Sequence, residues 1–227
     1  MHIIYFKNKK ILLFIVSILI LLLFFLFSFN NRPVISNIYD MKFIAVIDPG
    51  HGGIDTGTHY NQIMEKNINL NIAKLLKKEY ESVNIIPILS RSNDSLYKNS
   101  RNKDIFYRPK ISKKYNTDIY ISIHVNSFPS AQASGSQIFY KSGSVYSKLL
   151  AEMVDLELKK IMSGNREIKK GNFIVLNMAD CPAILIETGF ITNPLDRKKI
   201  TDPNYQKQIA RAIKNGSINY FNKILGD

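Results

Sequence analysis

Short apolar runs alternate with amphipathic stretches from Phe43 onward, and this alternation constrains the fold more than any other feature. The first run, "FIAVID", is continuously apolar before its aspartate, which is typical of a strand buried on both faces. The stretch 64–82 then has helical periodicity, with an apolar stripe of Ile68, Ile72, Leu75 and Leu76. Strands that alternate with helices predict an α/β fold, in which a mostly parallel twisted sheet carries helices on both faces.

The remaining predicted elements follow the same alternation. Strands are expected at 84–91, 118–124, 135–140, 173–177 and 183–188, and helices over much of 103–115, at 145–162 and at 203–224. Pro87 cannot donate to a sheet ladder, so strand 84–91 is expected at an edge or a bulge. The apolar positions of the last two helices are Leu149, Met153, Leu156 and Met162, followed by Ile209, Ala212, Ile213, Tyr220 and Phe221. These elements form a single domain.

An uncharged apolar run of nineteen residues, Ile11 to Phe29, precedes this domain. As a helix it would span a hydrocarbon core of about 30 Å, and the lysines before it form the positive flank that stays cytoplasmic. A cleaved signal peptide would have a shorter run and a small-residue cleavage site, so a retained anchor is favoured. We therefore divide the chain into a cytoplasmic flank (1–10), a transmembrane signal-anchor (11–29), a linker (30–42) and an extracytoplasmic catalytic domain (43–227).

The chain is strongly basic, with a formal net charge of +13. Basic proteins often bind nucleic acid, but an extracytoplasmic domain at the cell membrane does not meet it; an anionic wall polymer or membrane surface fits better. The single cysteine, Cys181, excludes an internal disulfide and a cysteine-based metal cluster, and we expect it to be a core thiol.

Two histidines directly follow predicted strands. His51 comes after "FIAVIDPG" and His124 after "DIYISI". Ligands gather outside the carboxyl ends of strands in open α/β sheets, so the two imidazoles can converge. Zinc sites with two histidines and one glutamate are well known, and the glutamate nearest to His51 is Glu65, at the start of the next helix. Glu65 is equally explained as an acid that complements the helix dipole, and His59 is a competing ligand without a strand to fix it.

Glu187 ends the apolar run "AILIE". A buried carboxylate is costly unless it is paired or lies near a metal, so Glu187 is a candidate for general acid–base work or a structural acid paired with Arg or Lys. Asn126 is expected either to bind substrate near the metal or to cap the turn after its strand.

Four stretches occur in order: "IDPGHGG", "MEKNINLNIAKLL", "ISIHVNS" and "PAILIETGFITNP". Together they resemble the motifs of the zinc-dependent N-acetylmuramoyl-L-alanine amidases of the Amidase_3 type, over Phe43 to Asp227. The resemblance implies that His51, Glu65 and His124 bind Zn²⁺ and that Glu187 is the catalytic acid/base, with no role for His59. The implied reaction hydrolyses the amide between the lactyl group of N-acetylmuramic acid and the L-alanine of a peptidoglycan stem peptide.

Two departures from common members narrow the resemblance. About seven residues separate "HVNS" from "GSQIFY", too few for the occluding helix of autoinhibited members, and wall-binding repeats are absent. The chain is then most similar to the membrane-anchored spore-cortex amidases. These enzymes act between the forespore and mother-cell membranes and remove stem peptides, so that the muramic-δ-lactam needed for germination can form. A vegetative cell-separation or autolytic amidase, an inactive peptidoglycan-binding domain and a zinc hydrolase of another amide are the alternatives. Expected partners are peptidoglycan, the membrane through the N-terminal helix, and an extracytoplasmic activating protein in place of a built-in lid.

Overall fold

A computed structural model describes residues 9–30, 42–162 and 166–226. The chain divides into two units, of which the first contains helix α1 (Lys9–Asn30) and the second the α/β domain. Among the helices in the described ranges, none is long and apolar enough to cross a membrane, so the transmembrane helix predicted over 11–29 is not confirmed. Residues 1–8 of the predicted flank and 31–41 of the predicted linker lie outside the described residues.

The described part of the α/β domain contains eight strands and seven α-helices. The strands are β1 (Phe43–Pro49), β2 (His59–Tyr60), β3 (Ile63–Met64), β4 (Ile85–Leu89), β5 (Ile119–Asn126), β6 (Gln137–Lys141), β7 (Lys169–Gly171) and β8 (Ala183–Phe190). The helices are α2 (Glu65–Glu81), α3 (Arg101–Tyr107), α4 (Lys110–Tyr115), α5 (Val145–Leu158), α6 (Ile174–Met178), α7 (Pro194–Ile200) and α8 (Pro203–Leu225), with a 3₁₀ turn at Tyr97–Asn99.

The main sheet has the strand order β4-β1-β5-β8-β6-β7. Strands β4, β1, β5 and β8 are mutually parallel, whereas β6 runs antiparallel to β8 and pairs with β7 in parallel. The predicted mostly parallel sheet is confirmed, and Pro87 lies on the edge strand β4 as expected. Because β1, β5 and β8 are neighbours with one direction, their carboxyl ends share one edge of the sheet.

Helices cover both faces of the sheet, as predicted. On one face α2, α5 and α8 pack over side chains such as Ile47 and Ile121, and on the other α4 and α6 pack over Val46 and Tyr120. Adjacent residues on β1 therefore point into opposite cores, which explains why the strand is apolar at every position. The apolar face predicted for the last helix is buried throughout α8.

One predicted strand is wrong. The segment 173–177 forms helix α6, and the neighbouring edge place is taken by β7, which the sequence did not predict. An apolar run of four residues fits a strand and a buried helical turn equally well, so its periodicity does not distinguish the two. The strand at that edge is β7, with the sequence "KKG". Short and charged strands of this kind are favoured at exposed sheet edges, where they discourage pairing with another chain.

Two predicted helices differ from the observed ones. The helix expected over 103–115 is divided at Pro109, which separates α3 from α4. The helix expected at 145–162 ends at Leu158, and the predicted apolar position Leu156 is 56% exposed. Its buried stripe is formed by Leu150, Val154 and Leu158; the predicted Leu149 and Met153 are partly buried against the core, and Met162, beyond the helix, is buried.

Asp48 is a buried charge near the end of β1. Its Oδ1 accepts hydrogen bonds from Arg108 Nη1 at 2.8 Å and from Ser90, and its Oδ2 accepts one from Ser122. Burial alone would raise the pKa of Asp48, but the charge of Arg108 and the hydrogen bonds from Ser90 and Arg108 outweigh it and lower the pKa to about 2. The carboxylate is therefore ionised in the fold at all but very acidic pH.

Asp48→Asn is expected to lower the free energy of unfolding by about 3 kcal/mol at neutral pH, because it leaves the buried Arg108 with less opposing charge. About 2 kcal/mol of this difference should depend on pH. Since the folded-state pKa is lowered, the carboxylate stabilises the fold above about pH 4, and this contribution disappears as pH falls toward 2. Urea unfolding of both proteins across this range measures it, and a difference that stays constant contradicts the assigned charge state.

Candidate metal centre

The loop after β1 is held by two buried arginines. Arg91 donates to the carbonyl oxygens of Pro49 and Gly50, and Arg108 donates to those of Pro49 and His51. His51 has a φ of +62°, in the left-handed region that residues other than glycine rarely adopt. The arginines satisfy the inward-facing carbonyls and so fix this strained backbone, which projects the imidazole beyond the end of the strand.

Asp55 orients the His51 ring. Its Oδ2 lies 2.9 Å from His51 Nδ1, which leaves Nε2 facing Glu65 Oε1 at 3.2 Å. Burial lowers the pKa of His51, but the hydrogen bonds and charges of Glu65 and Asp55 outweigh burial and raise it. This carboxylate–imidazole pair has the form that commonly fixes the tautomer of a metal-binding histidine.

Glu65 is the first residue of α2 and is only 3% exposed. Its Oε1 lies 3.0 Å from His124 Nδ1 and accepts the N–H of Val125, while its Oε2 accepts the N–H of Thr58 at 2.8 Å. Burial raises the pKa of this carboxyl, but the two histidines more than compensate and hold it well below its usual range. Glu65 is therefore an ionised carboxylate that contacts two imidazoles. A role in complementing the helix dipole would not account for these contacts.

His124 lies on β5, and glycines leave room for it and for Glu65. A methyl group on Gly50 would lie 2.2 Å from His124 Cε1, and one on Gly57 would lie 2.4 Å from Glu65 Oε2. Gly57 also has a φ of +64°, which favours glycine. The close approach of these two side chains thus explains two of the loop glycines, Gly50 and Gly57.

These three side chains can hold a metal ion. His51, Glu65 and His124 each offer a ligand atom, and the three atoms lie within 4.8 Å of one another. Two imidazoles and one carboxylate form a donor set that suits zinc and leaves a coordination position open. His59 is exposed on β2, and its side chain is not among the three that form this cluster.

Glu187 lies beside the cluster, directly opposite His124 in the β5–β8 pair. Its Oε2 is buried without a hydrogen-bond partner in the described structure. Burial raises the pKa of Glu187 to about 7, and the nearby charges that modify it come from His124, Glu65 and His51 rather than from an Arg or Lys. The alternative of a structural acid paired with a basic side chain is therefore not supported.

A cavity of about 310 Å³ opens beside His51, His124 and Glu187. One wall is apolar and comes from Ile105, Phe173, Ile174, Val175 and Leu185. The arrangement can admit an organic substrate with a polar reacting group next to the cluster and apolar parts against the wall.

Comparison with known proteins identifies the family. A family model described as N-acetylmuramoyl-L-alanine amidase (Amidase_3) matches residues 45–219. The chain belongs to this amidase family.

Relatives of two kinds match the amidase. The germination-specific N-acetylmuramoyl-L-alanine amidase of Bacillus subtilis (strain 168) is 29% identical over 95% of this chain and 96% of that protein. The amidase LytC of the same organism is 34% identical over 77% of this chain, but the match covers only 35% of LytC. A solved structure of the CwlD amidase from Clostridioides difficile, in complex with the GerS lipoprotein, also matches. Its sequence is 35% identical and its TM-score is 0.76, and the match covers 81% of this chain and 100% of that chain.

Other expected residues of the amidase have structural roles. Asn126 Oδ1 accepts the N–H of Ser127 at 2.8 Å, so it caps the end of β5. Cys181 is buried beside Thr117, as expected of a core thiol.

Sequence reasoning missed Asp55 and Arg101, which both line the cavity. The spacing of Asp55 four residues after a candidate ligand was the available signal, whereas Arg101 had none.

Gly50→Ala is expected to weaken metal binding by the amidase at least tenfold, because the added methyl must displace the His124 ring. Competition titration of zinc against a chromophoric chelator measures the affinity, and circular dichroism monitors the fold. Gly143→Ala controls for a general loss of stability, since a methyl there meets no atom within 4 Å but strains a backbone whose φ is +75°. Wild-type zinc affinity in Gly50→Ala would show that His124 is not a ligand.

Proposed function

We propose that the domain is a zinc-dependent hydrolase of the amide that joins the lactyl group of N-acetylmuramic acid to the L-alanine of a stem peptide. The observation that carries the proposal is Glu187, which lies on the strand next to His124 and whose buried Oε2 has no hydrogen-bond partner among the described residues. Membership of the amidase family supports the choice of substrate.

The residues present fit a zinc ion. His51, Glu65 and His124 would hold it, because they combine two imidazoles with a carboxylate at the open edge of the sheet. When bound, zinc supplies Lewis-acid chemistry, since it polarises a carbonyl and lowers the pKa of water.

The protein's own side chains handle the protons. Glu187 is placed to accept a proton from the attacking water and to return it to the departing alanine nitrogen, because its pKa of about 7 keeps both protonation states accessible at neutral pH. Asp55 accepts a hydrogen bond from His51 Nδ1 and so keeps Nε2 directed toward the cluster. The apolar wall beside Leu185 limits water around the reacting groups.

Release of a new amine tests the chemistry. Purified protein loaded with zinc should liberate the α-amine of L-alanine from purified peptidoglycan, which amine labelling followed by chromatography detects. A chelator should abolish the release and added zinc should restore it. Peptidoglycan binding without any new amine would favour the inactive binding domain.

We further propose a role in spore-cortex maturation, in which removal of stem peptides allows muramic-δ-lactam to form. The match to a germination-specific amidase over nearly the full length of both chains supports this role. Cortex from spores that lack the gene should contain no muramic-δ-lactam, and such spores should germinate poorly while vegetative growth is normal. Chaining of vegetative cells with intact lactam would favour a cell-separation role like that of a lytic amidase.

The location of the enzyme follows from its substrate. We propose that the domain acts outside the cytoplasm, where peptidoglycan lies, with the apolar N-terminal segment as its attachment; protease accessibility in intact protoplasts tests this.

We also propose control by a separate protein, because residues 127–136 contain no helix that could cover the site, and the CwlD structure contains the GerS lipoprotein. Envelope extract from sporulating cells should raise the rate of the purified enzyme; no increase would contradict such control.

A further inference from the structure

The lining of the cavity beside the metal centre combines charged and aliphatic side chains. Helix α3 contributes Arg101 at the rim and Ile105 one turn further along, and α6 faces it with Ile174 and Val175. The lining thus combines an exposed cation with aliphatic carbon, and it also includes Glu187 and two of the candidate metal ligands, His51 and His124.

Arg101 differs from the other cavity arginine in its partners. Arg108 is buried and its charge is balanced by Asp48 and Asp104, which places it in the framework of the loop. The Arg101 side chain is 70% exposed, and its Nε lies 3.3 Å from Asp55 Oδ2. In the described part of the chain, Asp55 is the acidic side chain that pairs with Arg101, and the two terminal nitrogens of Arg101 donate no hydrogen bond.

Arg101 is also close to the reaction centre. The Asp55 oxygen that it contacts is the one bonded to His51 Nδ1, so a single carboxylate separates the guanidinium from a candidate ligand. A substrate whose scissile amide reaches the cluster would therefore place neighbouring groups within reach of Arg101. The free edge of a guanidinium matches the two oxygens of a carboxylate.

We propose that Arg101 is a specificity-determining residue that binds a carboxylate of the stem peptide, while the apolar wall takes the aliphatic carbons next to the scissile bond. This inference rests on the proposed amidase function. The carboxylate nearest the scissile bond is the α-carboxylate of a γ-linked D-glutamate that follows L-alanine. When this residue is D-isoglutamine, a neutral carboxamide replaces the charge. Arg101 therefore selects stem peptides with a free carboxylate at the second position.

The test compares two disaccharide muropeptides, one with γ-D-glutamate and one with D-isoglutamine at the second position. The wild-type enzyme should prefer the free acid. Arg101→Gln should lower kcat/KM for the acid on the order of tenfold, mainly through KM, with a much smaller change for the amide. Lys103→Gln removes an exposed positive charge from the same helix and should keep the wild-type preference.

Zinc content of each variant separates substrate binding from an indirect effect. An equal loss on both substrates, with less bound zinc, would show that Arg101 acts through Asp55 and His51, which overturns the inference. An unchanged preference in Arg101→Gln also overturns it. Wild-type protein that cleaves neither muropeptide would overturn the proposed function itself, and the assignment of Arg101 with it.

Discussion

Glu187→Gln is expected to lower turnover on peptidoglycan by about 10³-fold while the protein still binds zinc. Glutamine has the same shape but cannot accept a proton from water or return one to the departing amine. The three candidate ligands come from β5, α2 and the loop after β1, and their mutual contacts do not involve the Glu187 side chain. The loss should therefore appear in kcat rather than in metal content.

Steady-state kinetics and zinc analysis of the same preparation separate these effects. Glu167→Gln makes the identical chemical change on an exposed side chain and should behave as wild type. If Glu187→Gln retains more than a tenth of the wild-type kcat, Glu187 does not carry the proton transfer.

Glu65→Gln is expected to weaken zinc binding by at least 100-fold, since it removes the only anionic ligand of the candidate set. It should also lower the free energy of unfolding by about 1–3 kcal/mol. Both oxygens of Glu65 accept backbone N–H groups, from Val125 and Thr58. A glutamine has one accepting oxygen, so its amide group would face one of these donors.

The matched control lies on the same helix. Glu81→Gln changes an exposed residue at the other end of α2, where the side chain pairs only with Lys77 at the surface, and should leave zinc affinity unchanged. Equilibrium titration with zinc and thermal unfolding of the metal-free proteins give the two quantities. Equal zinc affinity in Glu65→Gln and wild type would remove Glu65 from the site.

The convergence of His51 and His124 could be predicted because it follows from the sheet itself. Parallel neighbouring strands end at the same edge, and a histidine just beyond or near the end of each strand must lie there. Glu65 was ambiguous from its position alone, since an acid at a helix start also complements the helix dipole. Its contacts with both imidazoles resolve the ambiguity in favour of the cluster.

The parts that sequence reasoning missed depend on tertiary contacts. The segment 173–177 contributes a helix that lines the cavity, and nothing in its periodicity distinguishes a strand from a short buried helix. Arg101 contacts Asp55 only because α3 lies next to the histidine loop, whereas Asp55 meets His51 within the loop itself. The substrate-facing wall is therefore less predictable than the reacting groups, which come from the ends of strands and the start of a long helix.

Digestion of peptidoglycan in water enriched in ¹⁸O tests the central claim most directly. If the cluster and Glu187 hydrolyse the lactyl–alanine amide, mass spectrometry will find one ¹⁸O atom in the lactyl carboxylate of the glycan product. The peptide product will then be unlabelled and begin with free L-alanine, and neither product will form in the presence of a zinc chelator. Label in the peptide product, release of labelled acetate, or the same products from chelated protein would contradict the account.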